Sequence, residues 1–173
     1  MSAIKVMDEI LANKIAAGEV VERPLNVVKE LVENSIDAKS WEIKITLIDS
    51  GTKKIVVADD GIGMDKDDAL LAFSRHATSK LKNLDDLFNI SSLGFRGEAL
   101  PSIASVSKVR LTTSKDGVGT SITLNGGVVE QVESTDLSKG TTIEVTDLFY
   151  NTPVRLKYIK NNHEKKLIDL SIG

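Results

Sequence analysis

From Val106 onward the chain reads as four runs rich in β-branched residues, Val106–Thr113, Thr120–Leu124, Val128–Glu133 and Thr141–Asp147, broken by glycine or Ser/Asp turns. Such residues suit a pleated, half-buried surface, and such turns reverse the chain between strands. Two earlier runs, Glu42–Ile48 and Lys53–Ala58, flank Gly51 and predict an antiparallel hairpin. Helical patterns surround them. Asp8 can cap a helix over Glu9–Ala17 that ends at Gly18, and Pro24 suits the first turn of a second helix running to about Asp37. A short helix is expected over Lys66–Phe73, another from Glu98 through Ala104, and a helical tail from Val154 to Gly173. Helices first, then a mostly antiparallel sheet interleaved with more helices, define an α+β class.

At 173 residues the chain has the size of one domain with a real core. Aromatic residues are only 4%, so that core must come mainly from Ile, Val, Leu and Ala. A net charge of −3 argues against a surface given over to nucleic acid, which needs clustered Lys and Arg. Cysteine is absent, which excludes disulfides, thiolate metal sites and a cysteine nucleophile. With only His76 and His163, a histidine-rich zinc site is not expected either. No run is apolar enough to span a membrane, and the N-terminus, with Asp8, Glu9 and Glu19, lacks a signal-peptide pattern. The expected localisation is cytoplasmic, with no membrane partner.

Three short patterns carry chemistry. On the second helix, Val28, Leu31, Val32, Ser35 and Ile36 share one face, and Glu30, Asn34 and Asp37 share the other. A carboxylate can deprotonate an attacking water, and an Asn oxygen one turn away is a hard ligand suited to Mg²⁺. The same spacing also describes any amphipathic helix with its polar side in water. Next, Asp59-Asp60-Gly61-Ile62-Gly63 follows an apolar strand. It reads as a tight turn, or as backbone against which a flat ligand lies, with Asp59 accepting from an exocyclic amine such as that of adenine. Finally, Ser92–Leu100 is a glycine-bearing loop opening into a helix, where free N–H groups and the helix dipole favour anions. No Gly-Lys-Ser/Thr follows it, so it is not a P-loop. The stretch Ser74–Gly97 is long and weakly periodic, which in compact domains usually signals function.

These patterns, followed by Gly140-Thr141-Thr142, resemble the superfamily of gyrase, heat-shock chaperone, histidine kinase and MutL ATPases. Longer runs narrow the resemblance: Ile15–Pro24 (IAAGEVVERP), Val27–Ala38 (VVKELVENSIDA), Arg75–Lys80 (RHATSK), Ser92–Val106 (SLGFRGEALPSIASV) and Asp147–Lys157 (DLFYNTPVRLK) are similar to the N-terminal region of MutL-type DNA mismatch repair proteins. The resemblance implies a two-layer α/β sandwich, a mixed and mostly antiparallel sheet with helices on one face, forming one ATP-binding domain over residues 1–173. Glu30 matches the family's general base and Asn34 its magnesium ligand. Asp59 matches the adenine-binding aspartate, Gly61 and Gly63 the glycines beneath the base, and Thr141 a threonine that contacts adenine through water. Ala38 falls among the nucleotide-binding positions. Thr78, Ser79 and Lys80 fall in an ATP lid at about 74–97. Gly94, Phe95, Arg96, Gly97, Glu98, Ala99 and Leu100 match the backbone around the phosphates.

The implied cofactors are ATP and Mg²⁺, and the implied activity is ATP hydrolysis driving a conformational switch. The implied partners are a second copy of the chain, a mismatch-recognition protein of the MutS type, and DNA. In the family a lysine reaching the γ-phosphate comes from a second, transducer domain, and a C-terminal dimerisation domain follows. Both are expected to be absent from this chain, so the competing reading is an ATP-binding fragment without turnover. A topoisomerase subunit or a chaperone would share the short patterns but not the long runs. Arg155, Lys157, Lys160, Lys165 and Lys166 make the tail basic, which reads first as a solvated helix face and second as a nucleic-acid contact. Trp41 is expected to pack near the first strand.

Overall fold

The computed structural model describes residues 11–17, 21–74 and 99–161. Six strands form one sheet: β1 (Ile43–Ile48), β2 (Lys54–Asp59), β3 (Lys108–Ser114), β4 (Val118–Asn125), β5 (Val128–Asp136) and β6 (Gly140–Thr146). Their order is β1-β2-β6-β3-β4-β5. Every pairing among the described strands is antiparallel, so the parallel element of the expected mixed sheet does not occur there. The helices are α1 (residues 11–17), α2 (Pro24–Asp37), α3 (Lys66–Leu71), α4 (residues 99–105) and α5 (Pro153–Asn161). Among the described residues, no helix is long and apolar enough to cross a membrane.

The register explains the core. Ile55, Val145, Val109 and Leu124 align in one cross-strand row, and Val57, Ile143, Leu111 and Ile122 in the next. All eight are buried. Full burial of each such side chain stabilises the fold by about 1.5–3 kcal/mol relative to exposure. Val27 and Leu31 of α2, Ala69 of α3, and Ile103 and Ala104 of α4 complete the same cluster. The residues between them in sequence, such as Lys108 and Arg110, point to the other face and are exposed. One face of the sheet therefore carries the helices, as an antiparallel sheet permits.

Helix α2 begins at Pro24, whose fixed φ suits a first turn. The Asn26 side chain accepts the Glu22 and Arg23 N–H groups at 3.2 and 3.0 Å, fixing the approach of the chain. The orientation of α2 corrects the expected division of its faces. Val27, Glu30, Leu31 and Ser35 are buried, whereas Ile36 is 61% exposed. The stripe i, i+4, i+8 from Val27 through Leu31 to Ser35 faces the core, and Glu30 borders it at i+3 from Val27. The carboxylate thus lies at the inner margin of the helix, not on its water side. Hydropathy alone could not reveal this, because here a carboxylate occupies a buried position.

Trp41 is also a correction: it is 96% exposed and does not join the core. It sits where the chain turns from α2 into the edge strand β1, beyond the helix layer. Its backbone is nonetheless held, because Asp60 Oδ1 accepts the Trp41 and Glu42 N–H groups at 2.8 and 3.0 Å. These bonds, that from Glu42 foremost, hold the Asp60 carboxyl below its ordinary range.

The aromatic that does anchor the fold is Phe149, 1% exposed, whose N–H donates to Val106 at 2.7 Å. Arg155 of α5 lies 5.5 Å from the centroid of its ring and donates to the Val21 carbonyl at 2.8 Å. Arg155 therefore ties α5 to the segment preceding α2. Of the other basic tail residues, Lys157 is exposed, while Lys165, Lys166 and the side chain of Lys160 lie outside the described residues.

Two outcomes follow for stability. In urea titrations followed by circular dichroism, Phe149→Ala should lose about 3–5 kcal/mol and Trp41→Ala no more than about 0.5 kcal/mol. Comparable losses would contradict this packing. The stabilisation from Asp60 is present above the ordinary carboxyl range near pH 4 and is lost as pH falls through its lowered folded value. Thermal melts of Asp60→Asn should lack that part of the acid-side decline. Parallel acid slopes in variant and wild type would exclude it.

Candidate functional site

The two apolar rows are followed, toward one end of the sheet, by a polar one. Asp59, Thr141 and Thr113 are directly opposite one another on β2, β6 and β3, on the face that carries the helices. Thr141 and Thr113 are buried, and Asp59 is half-buried. Side chains of one kind of chemistry from three strands thus meet where α2 ends above the sheet.

Every polar group in this row is fixed. Ser35 on α2 donates its hydroxyl proton to Asp59 Oδ2 at 2.6 Å, and the Gly61 N–H donates to Asp59 Oδ1 at 2.9 Å. The loop after Asp59 is pinned at two further points. Ile62 N–H donates to the Ala38 carbonyl at 2.9 Å, and Met64 N–H donates to Thr113 Oγ1 at 2.9 Å. Thr113 Oγ1 lies 2.8 Å from Thr141 Oγ1 and donates to the Gly140 carbonyl at 3.3 Å. Asp59 is therefore a carboxylate held in one orientation, with lone pairs to spare for a donor arriving from outside.

The glycines have a reason inside the chain. A Cβ on Gly63, whose φ is +69°, would lie 1.9 Å from the Ser114 carbonyl oxygen. One on Gly61 would meet the Ala38 carbonyl at 2.6 Å, and one on Gly140, with φ +138°, the Asp59 carbonyl at 2.1 Å. The Asp59 corner is built by backbone packed on backbone, which only glycine permits. This explains the two-glycine spacing without requiring a ligand there.

Above the row, Glu30 and Asn34 stand one helical turn apart. Glu30 is 9% exposed. The Asn34 side-chain nitrogen is buried with no hydrogen-bond partner among the described residues. A buried amide left so is costly unless something else meets it. Among the described residues no group of three His, Cys, Asp or Glu side chains gathers as a metal cage. The Asn34 side-chain oxygen is a hard ligand of the kind Mg²⁺ takes, since that ion usually has one or two protein ligands and fills its other positions with water and phosphate oxygens.

Of the expected site residues, Glu30, Asn34, Ala38, Asp59, Gly61, Gly63 and Thr141 belong to α2, the loop and the polar row just described. Ala99 and Leu100 are in α4, with Ala99 fully buried and Leu100 packed against the core. Thr78, Ser79, Lys80, Gly94, Phe95, Arg96, Gly97 and Glu98 lie outside the described residues. Sequence reasoning missed Ser35 and Thr113. Ser35 was visible only as a polar residue in an apolar stripe, and the role of Thr113 depends on strand register. A cleft of about 640 Å³ lies beside α5, but Glu30, Asn34, Asp59 and Thr141 are not among its lining residues, which include Arg23, Thr152 and Tyr158.

Comparison with known proteins points the same way. A family model described as histidine kinase-, DNA gyrase B-, and HSP90-like ATPase matches residues 22–167. The chain is 59% identical over 164 residues to the DNA mismatch repair protein MutL of Geobacillus sp. (strain WCH70), covering 94% of this chain and 26% of that protein. It is 56% identical over 163 residues to the MutL of Koribacter versatilis (strain Ellin345), covering 93% and 25%. The chain thus spans about a quarter of the length of these relatives. Among solved structures, the N-terminal domain of a DNA repair protein superposes with a TM-score of 0.74 at 32% identity, over 88% of this chain and 44% of that one. The Aquifex aeolicus MutL ATPase domain complexed with ADP does so with a TM-score of 0.63 at 30% identity, over 87% and 54%.

The backbone contacts predict a graded response to alanine. Gly117 also has positive φ, at +102°, but open space around it. Gly117→Ala should cost about 1–3 kcal/mol from φ strain alone, whereas Gly63→Ala should cost over about 3 kcal/mol or leave no folded protein. Urea midpoints that rank the two equally would argue against the close approach at Ser114.

Proposed function

The chain belongs to the histidine kinase-, DNA gyrase B- and HSP90-like ATPase family, as the N-terminal ATPase region of a MutL-type protein, and from that premise we propose that it binds ATP with magnesium and supports ATP hydrolysis in DNA mismatch repair. The observation that carries the reading is the fixed Asp59 carboxylate, held by Ser35 and Gly61 in a polar row below the helix that bears Glu30 and Asn34.

Each residue then has a task. Asp59 accepts a hydrogen bond from the adenine amine. Because its orientation is set before the base arrives, little rearrangement accompanies binding. Thr141, beside it, contributes to the same edge, and Gly61, Gly63 and Ala38 shape the backbone beneath the base. Asn34 supplies the protein oxygen for magnesium, which when bound neutralises phosphate charge and orients the transferring group. Glu30, one turn away on the same helix, orients an attacking water and accepts its proton. Phosphate contacts are assigned to Gly94–Leu100 and the lid to Thr78, Ser79 and Lys80, by resemblance. Pairing with a second copy, contacts with a MutS-type protein and with DNA, a cytoplasmic setting and a nucleotide-driven switch belong to the same proposal for the whole protein.

Equilibrium dialysis with labelled ATP and Mg²⁺ should show saturable binding, and none at millimolar ATP would sink the reading. In phosphate-release assays, Glu30→Ala should lower turnover about 100-fold or more while leaving ATP affinity within about threefold. Undiminished turnover in Glu30→Ala would remove its role as base. Binding without turnover in either protein would mark this chain as a binding module.

A further inference from the structure

Thr113 contacts neither Glu30 nor Asn34 in any hydrogen bond described above, yet it is fully buried and makes three polar contacts. It accepts the Met64 N–H at 2.9 Å, lies 3.3 Å from the Gly140 carbonyl oxygen, and lies 2.8 Å from Thr141 Oγ1. A hydroxyl has one proton and two acceptor positions. A carbonyl oxygen can only accept, so the single Thr113 proton is directed at Gly140. Its two acceptor positions then take Met64 N–H and the Thr141 hydroxyl proton. This is the one assignment in which all three contacts are hydrogen bonds.

The consequence falls on Thr141. With its own proton directed at Thr113, it can offer only lone pairs to anything beyond. Asp59, directly across from it on β2, likewise offers only lone pairs once it has accepted from Ser35 and Gly61. The corner is therefore acceptor-only. It favours a base edge that donates, such as an exocyclic amine, and opposes a carbonyl at the same place, which would leave lone pairs facing lone pairs.

We propose that Thr113 is a positioning residue that fixes the hydroxyl proton of Thr141 and so makes this corner select an amino-bearing purine over one with a carbonyl in its place. The proposal rests on the reading of the site as an ATP site. It adds a residue that touches no ligand and acts through Thr141.

The experiment is competition binding on this chain, with labelled ATP displaced by unlabelled ATP or by inosine triphosphate, in which a carbonyl replaces the amine. In Thr113→Val the Thr141 hydroxyl is free to turn its proton outward. The preference for ATP over inosine triphosphate should narrow about tenfold, as expected for losing one well-placed hydrogen bond. Thr113→Ser keeps the hydroxyl and should restore the preference to within about threefold. In a Thr141→Val background, Thr113→Val should change the ratio no further. If Thr113→Val does not fold, Thr113→Ala provides the same ratio.

A merely structural role would weaken both nucleotides equally. An unchanged ratio in Thr113→Val overturns the proposal, as does a further change in the Thr141→Val background. Failure of the wild-type chain to bind ATP overturns the site reading instead, so the two failures are distinct.

Discussion

At the Asp59 carboxylate the two layers of the molecule are joined by hydrogen bonds as well as by apolar contact. One oxygen accepts from Ser35 on α2 and the other from Gly61 in the loop, while the backbone of Asp59 pairs with Ile43 on one side and Thr141 on the other. Charged acceptors make stronger hydrogen bonds than neutral ones, and shielding from water strengthens them further. The helix layer is thus fixed in register over the sheet at the very point where chemistry is proposed. A shift of α2 along the sheet would break the Ser35 bond and move Glu30 and Asn34 with it.

Much of this could be read from the sequence, for identifiable reasons. The hairpin of β1 and β2 and the meander of β3, β4 and β5 were legible because β-branched runs broken by glycine and polar turns describe local pairings. Helix α2 was legible from its proline and its spacing. What failed depended on contacts distant in sequence. Glu30 was assigned to the water side because hydropathy takes a carboxylate for a surface residue, yet the helix places it beside Val27 and Leu31. Trp41 was assigned to packing because indole usually is, yet it stands beside the edge strand β1 in solvent.

The glycines show how a correct choice of residues can rest on an incomplete reason. Gly61 and Gly63 drew notice because two glycines so close together suggested a ligand against bare backbone. The close approaches to Ala38 and Ser114 are sufficient cause by themselves. Both reasons hold together only if the same bareness that lets the loop settle on the sheet also leaves a flat surface above it. Thr113 went unnoticed for the complementary reason: nothing in a run of Lys, Val, Arg, Leu and Thr marks one threonine until β3 is set beside β6 and the loop arrives from β2.

The strand order has a consequence for how the molecule is made. β2 and β6 are neighbours in the sheet, though nearly half the chain separates them. Closing such a long loop carries an entropic cost that the local hairpins do not. Asp59 and Thr141 face each other only once that closure is complete. On the ribosome, a nascent chain that has not yet released β6 lacks Thr141, and its polar row is incomplete. Any ligand that binds the folded chain and not the unfolded one would draw β6 into place by mass action.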